Sequence, residues 1–426
     1  MICDLILRPI RNTLVLLAYS VLFLWNSPSF GSAFQLWEQD AAGVGDAHAG
    51  AAAKASDAST AYYNPAGMMQ LAHPQIVLGN TTVLSHIAFD GTVSGNFGDT
   101  KTGLAQAGVI KEVPDFHMVM PLSDKLALGL SLVAPFGGAT QYAKASIAQE
   151  DATTTEVTVI DVSPAIAFRF DNHVSLGAGI DFESITAKFD NAVFDTFPDQ
   201  NRLSGHHPTW HAGLLYELSP KSRLGVAYHA SNDFHLSGLG TMSTLSGEIQ
   251  DQSAITTAIT LPASTELSAY HQFNQHYAGL VSLTYTQWHS FQNLALRHLP
   301  DGTGEETLDV NIPTHYKNTF NLALGLHYFP TEPWIVRLGL AYDQTPSSDR
   351  YRTIRLPDQD RVTVAAGVGY RWSPVWRFDF GMSHLFVKSA KINTQLVEGS
   401  SEVTTTGHVN SRADLIGLQI TWNFLS

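Results

Sequence analysis

Cysteine is almost absent from this sequence of 426 residues, in which the only example is Cys3. Because Cys3 precedes an apolar segment typical of a cleaved leader, the mature chain is expected to have no disulfide, no thiolate metal site and no lipid-modified cysteine. Long apolar runs are also missing beyond the N-terminal segment, which argues against membrane-spanning helices. The apolar fraction of 44% is nevertheless too high for a disordered chain.

Charged residues are scarce as well, at 15%, and acidic residues outnumber basic ones by 38 to 24. The resulting net charge of −14 argues against nucleic acid as a partner. His207 and His211 are the histidines with the most ligand-like spacing, but on a strand they would lie about 13 Å apart, too far to share one ion. We therefore expect neither a metal site nor a cofactor.

The N-terminus has the pattern of a secretory signal peptide. Arg8 and Arg11 precede the apolar residues 13–25, and small residues follow up to Ala33. An uncleaved membrane anchor is the alternative, but the apolar run is too short to span a bilayer. We expect residues 1–32 to be removed on export, so that the mature chain begins near Ala33 or Phe34.

After about residue 75 the sequence consists of short segments in which apolar and polar residues alternate, as in Val362–Trp372. Fourteen such segments begin near residues 75, 115, 125, 155, 174, 207, 222, 255, 277, 315, 334, 360, 376 and 413. Short turns alternate between them with longer loops near 88–114, 138–154, 190–206, 239–254, 299–314, 345–359 and 394–412. An even number of strands, with both chain ends on the short-turn side, is typical of an outer-membrane β-barrel.

The two faces of these segments differ in chemistry. Aromatic residues gather beside the short turns, as an interfacial girdle would require: Phe168, Phe170, Tyr328, Phe329, Trp334, Tyr370, Trp372 and Trp376. The opposite face mixes glycine and alanine with charges: Asp161, Arg169, Asp181, Glu183, Arg337, Asp343, Arg371 and Asp379. A large soluble sandwich is the alternative, but its core could not hold these charges. The pattern predicts an all-β transmembrane barrel of 14 antiparallel strands over residues 75–426.

The segment before the first strand is different in kind. Residues 41–71 are rich in Ala, Gly and Ser and show no alternation, which favours short helices packed in a narrow space. A barrel of 14 strands is wide enough to need filling. We therefore predict that residues 33–74 form a helical plug, or hatch, inside the lumen; a disordered leader is the alternative.

Five stretches make the mature chain resemble the FadL family of outer-membrane transporters for long-chain fatty acids and hydrocarbons. They are Phe34-Gln35-Leu36, Gly43-x-Gly45-x-Ala47, Asn64-Pro65-Ala66, residues 285–292 (YTQWHSFQ) and residues 356–361 (LPDQDR). The resemblance implies a 14-stranded barrel closed by an N-terminal hatch. It also implies passive, diffusion-driven uptake in which a hydrophobic ligand leaves sideways through a gap in the barrel wall.

The resemblance places that gap at a kink in the third strand, formed by Pro135, Phe136, Gly137 and Gly138. Proline cannot donate to the ladder and glycine weakens pairing, so the sequence itself supplies a cause for an interruption. The alternative is that the strand simply ends at Pro135. On the hatch, Asn64, Pro65 and Ala66 are expected to lie beside the gap and act as its gate.

Ligand contacts are predicted in two places. Phe194, Phe197 and Leu203 are expected to form an apolar groove in the loop 190–206, although local packing would explain them too. Lys317 resembles a family basic residue at the start of the tenth strand and is expected to contact a carboxylate in the lumen. A lysine at a strand end is, alternatively, simply solvated.

The predicted function is passive uptake of hydrophobic molecules, above all long-chain fatty acids, across the outer membrane of a Gram-negative bacterium. The alternatives are a polar-solute porin and a channel for aromatic or alkane hydrocarbons. An enzyme is not expected: His229, Ser231 and Asn232 resemble part of a phospholipase motif, but His229 and Ser231 are predicted to face the lumen, and Asp233 stands where the motif has glycine. The expected partners are the ligand, outer-membrane lipid and lipopolysaccharide, and the barrel-assembly machinery, with the protein itself a monomer.

Overall fold

The computed structural model describes residues 33–95, 100–193, 197–398 and 401–424. The predicted signal peptide, residues 1–32, and Phe194 of the predicted groove lie outside this part of the chain. In the described part, none of the helices is both long and apolar enough to span a bilayer.

The chain forms a closed antiparallel barrel of 14 strands, as the alternation predicted. Several of the 14 wall positions are built from two consecutive segments; Lys101–Gln106 and Ile110–Ser123, for example, pair with the first strand in one continuous register. The segments are β1 (Gln75–Gly95), β2 (Lys101–Gln106), β3 (Ile110–Ser123), β4 (Leu126–Val133), β5 (Gly137–Gln141), β6 (Thr154–Arg169), β7 (Val174–Val193), β8 (Phe197–Ser219), β9 (Ser222–His229), β10 (Asn232–Ser243), β11 (Ile249–Leu261), β12 (Ser264–Gln272), β13 (Tyr277–Thr286), β14 (Asn293–Pro300), β15 (Thr307–Pro313), β16 (Thr319–Tyr328), β17 (Trp334–Asp343), β18 (Arg361–Arg371), β19 (Trp376–Val387), β20 (Ala390–Glu398) and β21 (Ser401–Asn423).

Closure comes from the pairing of the first strand with the last. β1 and β21 run antiparallel from Gln75 opposite Asn423 to Gly95 opposite Val403. Each remaining wall strand pairs with its neighbour in sequence, for example β6 with β7 and β17 with β18. A closed wall leaves no edge strand to aggregate or to expose unpaired backbone to lipid.

The outward face is apolar, as predicted from the alternation. Its exposed side chains include Leu176, Ile180 and Phe182 of β7, each 45–55% accessible. Most of the aromatic residues predicted for the girdle beside the short turns also face outward, including Phe170 and Trp372 at 66% and 69%. Phe329 is the exception, since it lies on the lumen side against the buried His327. The charged face points inward, where Asp161, Asp181, Glu183, Arg337, Asp343 and Asp379 are buried.

The two ends of the barrel differ in the length of their connections. The turn end carries the short turns, such as the one between β3 and β4. At the opposite end, here the loop end, the strands continue well beyond the predicted boundaries as hairpins. The predicted loop 190–206 is mostly such a hairpin, because β7 runs to Val193 and β8 starts at Phe197. Sequence alternation did not reveal these extensions because strands that continue beyond the membrane need no apolar outer face.

Within the described residues, the hatch inside the barrel consists of the short helices α1 (Ala41–Val44), α2 (Ala51–Lys54) and α3 (Thr60–Tyr63) and a 3-10 helix (Pro65–Gln70). A further 3-10 turn, Trp288–Ser290, follows β13. Asp40 caps α1 by accepting a 2.7 Å hydrogen bond from the Gly43 amide. Asp46 ties the hatch to the wall, because its Oδ2 lies 2.8 Å from His327 Nε2. Within the hatch, Lys54 Nζ lies 3.3 Å from Asp46 Oδ1.

Candidate functional site

The wall is interrupted between β3 and the strand formed by β4 and β5. The ladder between them ends at Phe116 opposite Leu132, and the next bond runs from the Gln141 amide to the Ala107 carbonyl, 3.1 Å away. The pair Phe116–Leu132 and the pair Ala107–Gln141 belong to the same register, so the eight residues 108–115 stand opposite the eight residues 133–140. No backbone hydrogen bond joins residues 108–115 to residues 133–140. We call this space the wall opening.

The kink predicted at Pro135 forms one edge of the wall opening. On β6, Val133 pairs with Asp161 and Gly137 with Thr158, so three residues of the kinked strand stand opposite two of β6. This extra residue is a β-bulge, which bends the strand away from its other neighbour. Pro135, and Pro114 on the opposite edge, have no amide hydrogen with which to restore the ladder.

The chain just before the hatch covers the wall opening from the lumen. This N-terminal strip, residues 34–39, bonds to the kink as a short antiparallel strand: the Leu36 amide donates to the Pro135 carbonyl at 2.9 Å, and the Gly137 amide donates to the Phe34 carbonyl at 2.8 Å. The Gln39 side chain donates to the Ala134 carbonyl at 3.2 Å. The strip therefore satisfies polar groups that the interrupted ladder leaves free.

Behind the strip, the loop-end half of the lumen is filled by one apolar cluster. Phe34 is at its edge, with ring centroids 5.0 Å from Trp288, 5.9 Å from Phe136 and 6.0 Å from Phe291. The other members are Val157, Val159, Ile185, Ala187, Phe189, Leu203, Phe234, Leu236, Ile255, Ile259, Leu261, Leu294, Leu296, Leu299, Val310, Ile312 and Tyr316. Of the predicted groove residues, Leu203 is therefore part of the interior, and Phe197 is half-buried in β8.

The connection between β17 and β18 folds over the apolar cluster. Thr140 Oγ1 donates to the Arg355 carbonyl at 2.7 Å, and Tyr142 donates to the Ile354 carbonyl at 2.9 Å. Asp358 accepts a 2.9 Å hydrogen bond from the Ala33 amide and another from Thr345 Oγ1. Burial raises the pKa of Asp358 to about 6, in spite of the opposing charge of nearby Arg361.

Two arginines, Arg352 and Arg355, line a cavity of about 60 Å³ in this cluster, together with Phe34 and Phe291. The guanidinium of Arg352 is bonded to Asp349 and to backbone carbonyls, whereas that of Arg355 is less completely paired. The Nε of Arg355 is 3.9 Å from Asp151, too long for a hydrogen bond, and Nη1 is 3.5 Å from a carbonyl oxygen. The predicted carboxylate contact, Lys317, is instead half-buried in the connection before β16, and burial lowers the pKa of its ammonium group.

Asn64, Pro65 and Ala66, the residues predicted to gate the opening, contact β7 and β8 and not the kink at Pro135. Asn64 Nδ2 donates to the Ala52 carbonyl at 2.6 Å and to the Leu214 carbonyl of β8 at 3.1 Å. A Cβ on Gly177 would stand 2.4 Å from the Ala66 amide nitrogen, so Pro65 and Ala66 lie directly on β7. Asn64-Pro65-Ala66 thus fastens the hatch to β7 and β8. The contacts with Pro135 come from the N-terminal strip.

Two features escaped the sequence reasoning. The role of the strip could have been suspected, since Phe34, Leu36 and Trp37 are apolar residues at the start of a mature chain. The second feature is a group formed by Asp181, His211 and His229, whose ligand atoms lie within 4.8 Å of one another. Spacing along one strand cannot reveal it, because His211 and His229 are paired across β8 and β9.

Comparison with known proteins places the chain in a family. Residues 23–424 match the model of "Outer membrane protein transport protein (OMPP1/FadL/TodX)". A 47 kDa outer membrane protein of Pasteurella multocida is 30% identical, over 97% of this chain and 99% of that protein. The long-chain fatty acid transport protein of Escherichia coli is 26% identical, over 89% and 93%.

Solved structures agree. The chain resembles a Pseudomonas aeruginosa FadL homologue with a TM-score of 0.85 at 25% identity, covering 92% of this chain and 100% of the other. It shares its fold with the Ralstonia pickettii toluene transporter TbuX, with a TM-score of 0.67 at 17% identity and the same coverage. The chain therefore belongs to the OMPP1/FadL/TodX family and is an outer-membrane transporter of hydrophobic molecules.

Proposed function

We propose that this transporter takes up long-chain fatty acids by passive diffusion, and that the ligand leaves the lumen through the wall opening between β3 and β5. The observation that carries the proposal is the absence of ladder hydrogen bonds between residues 108–115 and 133–140, next to an apolar interior. The ligand would enter from the loop end, pass through the apolar cluster and reach the outer membrane's lipid.

The energetics favour a lateral route. A fatty acid with about 15 methylene groups gains about 12 kcal/mol when it moves from water into an apolar phase, at about 0.8 kcal/mol per methylene. An exit into lipid keeps that gain, whereas an exit through the turn end would return the chain to water. The turn end holds a cavity of about 680 Å³ whose lining includes the charged side chains of Lys54, Arg223, Arg337, Arg371 and Arg377, so an acyl chain that left there would enter a charged, water-accessible space.

Passage requires the N-terminal strip to move. The cavity beside Phe34 holds about 60 Å³, enough for water but far too small for a long acyl chain. Phe34 occupies the part of the apolar cluster nearest the kink, so ligand and Phe34 would compete for the same space. Release of the strip from Pro135 and Gly137 would then clear the wall opening.

Two observations favour fatty acids over aromatic hydrocarbons. Arg355 places an incompletely paired guanidinium at the apolar cavity, where a carboxylate could form a bidentate ion pair and toluene could not. The likeness to the FadL homologue is also closer than the likeness to the toluene transporter. A porin for polar solutes is disfavoured because the hatch and the apolar cluster fill the lumen.

A disulfide that locks the strip tests the proposal. Gln35 and Phe136 are bridge partners in a non-hydrogen-bonded pair, a geometry in which Cα atoms stand about 4.5 Å apart and a disulfide fits. Because Cys3 is the only native cysteine, the variant Gln35→Cys/Phe136→Cys contains a single possible mature pair. Oxidation should abolish oleate uptake in cells that lack their own transporter, and a reductant should restore it.

The matched control places a disulfide where the ladder is intact. Phe116 and Leu132 are paired partners just below the wall opening, so Phe116→Cys/Leu132→Cys should form a disulfide without affecting uptake. Folding of both variants is checked by heat-modifiable migration on gels. If the oxidised strip variant folds, carries its disulfide and still takes up oleate at the rate of its reduced form, the ligand does not pass the strip and the proposal is wrong.

A further inference from the structure

The lumen wall below the apolar cluster carries a group of metal-binding side chains. Asp181 on β7, His211 on β8 and His229 on β9 bring their ligand atoms within 4.8 Å of one another. The two imidazoles are stacked, with centroids 5.2 Å apart and planes at 13°. All three lie beneath the hatch helix α3, where the Tyr62 ring is 4.8 Å from that of His229.

The hydrogen bonds of His211 leave room for a cation. Its Nε2 is 3.2 Å from the Ala61 carbonyl oxygen, which can only accept, so Nε2 must carry the hydrogen. In the neutral ring, Nδ1 then carries a lone pair and can only accept a hydrogen bond, yet it lies 2.7 Å from Asp181 Oδ1, which is also an acceptor. Asp181 Oδ1 also accepts a hydrogen bond from Ser163 Oγ. Two acceptors in contact require either an additional proton or a cation between them.

The surroundings are negatively charged, and His211 is the basic side chain that pairs with Asp181. Asp161 and Glu183 are paired neighbours on β6 and β7, close to Asp181. Asp161 is 1% exposed, and its Oδ1 is buried without a hydrogen-bond partner. In the described part of the chain, no lysine or arginine forms an ion pair with Asp161, Asp181 or Glu183. This buried carboxylate oxygen is a second, independent sign that a cation belongs here.

We propose that Asp181, His211 and His229 bind one divalent transition-metal ion, with Zn²⁺ the best match to a ligand set of two imidazoles and one carboxylate. In a tetrahedral zinc site the ligands stand about 2.0–2.2 Å from the ion and hence about 3.3 Å from one another. His211 Nδ1 and Asp181 Oδ1, 2.7 Å apart, need to separate by about 0.6 Å, and the other ligand atoms, at most 4.8 Å apart, need to close by about 1.5 Å at most. His229 can make this movement, because neither of its ring nitrogens has a hydrogen-bond partner among the described residues.

The fourth coordination position would face the cavity that His229 lines together with Tyr62 and Phe136. Water would fill it, as in other sites with three protein ligands. The ion would join β7, β8 and β9 under the hatch and so stabilise the wall on the lumen side of the kink. This inference does not depend on which hydrophobic molecule is transported.

Metal binding to the purified, tag-free protein in detergent tests the proposal. After treatment with a chelator, the wild-type protein should bind one tight Zn²⁺ per chain in competition with a chromogenic chelator, and its Tm should rise. His229→Gln is the main variant, because His229 has no hydrogen bond to lose; it should weaken Zn²⁺ binding at least tenfold and abolish the rise in Tm. Asp181→Asn should also weaken binding.

The control is His206→Gln, which removes an exposed histidine of the same strand, β8, and should leave tight binding unchanged. Co²⁺ gives a second readout: the visible bands of a four-coordinate Co²⁺ should appear in the wild type and in His206→Gln and be lost in His229→Gln. If the wild type binds no tight Zn²⁺, or if His229→Gln binds it as tightly as the wild type does, the proposal is overturned, and a proton bridges Asp181 and His211 instead.

Discussion

Glycines of the wall allow the hatch backbone to touch it, and adding methyl groups there should dislodge the hatch. A Cβ on Gly225 would stand 1.9 Å from the Ala52 carbonyl oxygen, and one on Gly339 would stand 2.2 Å from the Asp46 carbonyl carbon. On Gly381 it would stand 2.3 Å from the Ala41 carbonyl oxygen. Backbone atoms cannot rotate out of the way as a side chain can. Each Gly→Ala change should therefore destabilise the docked hatch by about 1–3 kcal/mol.

The triple variant should have a clear effect. Gly225, on β9, touches α2, whereas Gly339 and Gly381, on β17 and β19, touch neighbouring residues at α1. The losses should therefore combine to at most about 3–9 kcal/mol. The barrel itself should still fold, because alanine is no worse than glycine in a strand. Wild-type protein should be nearly silent in planar bilayers, and the triple variant should conduct ions. Trypsin should then cut after Lys54, which is 5% exposed in the docked hatch.

Gly279→Ala is the matched control for this experiment. Its Cβ would meet only the ring of Phe273, an exposed side chain that can move aside. This variant should remain silent and resistant at Lys54. A triple variant that folds, stays silent and keeps Lys54 protected would show that the hatch does not depend on close contact with the wall glycines, and the reasoning would be refuted.

Two further predictions concern the connection between β17 and β18. Burial raises the pKa of Asp358 from 3.8 to about 6, so the folded protein holds this proton more tightly. The free energy of unfolding in urea should therefore fall for the wild type, relative to Asp358→Asn, as the pH rises from about 4 to about 6, and the difference should stay constant above about pH 6. A difference that does not change with pH would contradict this. Arg355→Met should weaken oleate binding about tenfold in a fluorescence titration, whereas Arg350→Met, a change at an exposed arginine, should leave the affinity unchanged. If Arg355→Met binds oleate as tightly as the wild type does, Arg355 is not the carboxylate contact.

The fold was largely predictable from the sequence because a barrel repeats one simple pattern. Alternation assigned Leu176 and Phe182 to the outside and Asp181 to the lumen, and the structure confirms all three. The composition of residues 41–71 indicated helices inside the barrel. The extent of the hairpins at the loop end was not predictable, since strands outside the membrane need no apolar outer face.

The candidate site was harder to predict because it depends on contacts between distant segments. Pro135 and its glycines indicated an interruption, but nothing in the local sequence showed that residues 34–39 would bond to it. Lys317 matched a family pattern, whereas Arg355, which lies at the apolar cavity, is part of no motif. Asp181, His211 and His229 come from three different strands, and only the register of the barrel brings them together.

The path of the ligand is tested most directly by crosslinking it in place. A photoreactive phenylalanine analogue is introduced singly at Val113 and Phe136, on the two edges of the wall opening, and at Tyr270 and Phe329, which line the cavity at the turn end. Cells are illuminated during uptake of radiolabelled oleate. Labelling at Val113 and Phe136, with none above background at Tyr270 and Phe329, is the result that lateral exit predicts. Labelling at Tyr270 and Phe329 but not at the wall opening would contradict it, because the ligand would then pass straight through the turn end.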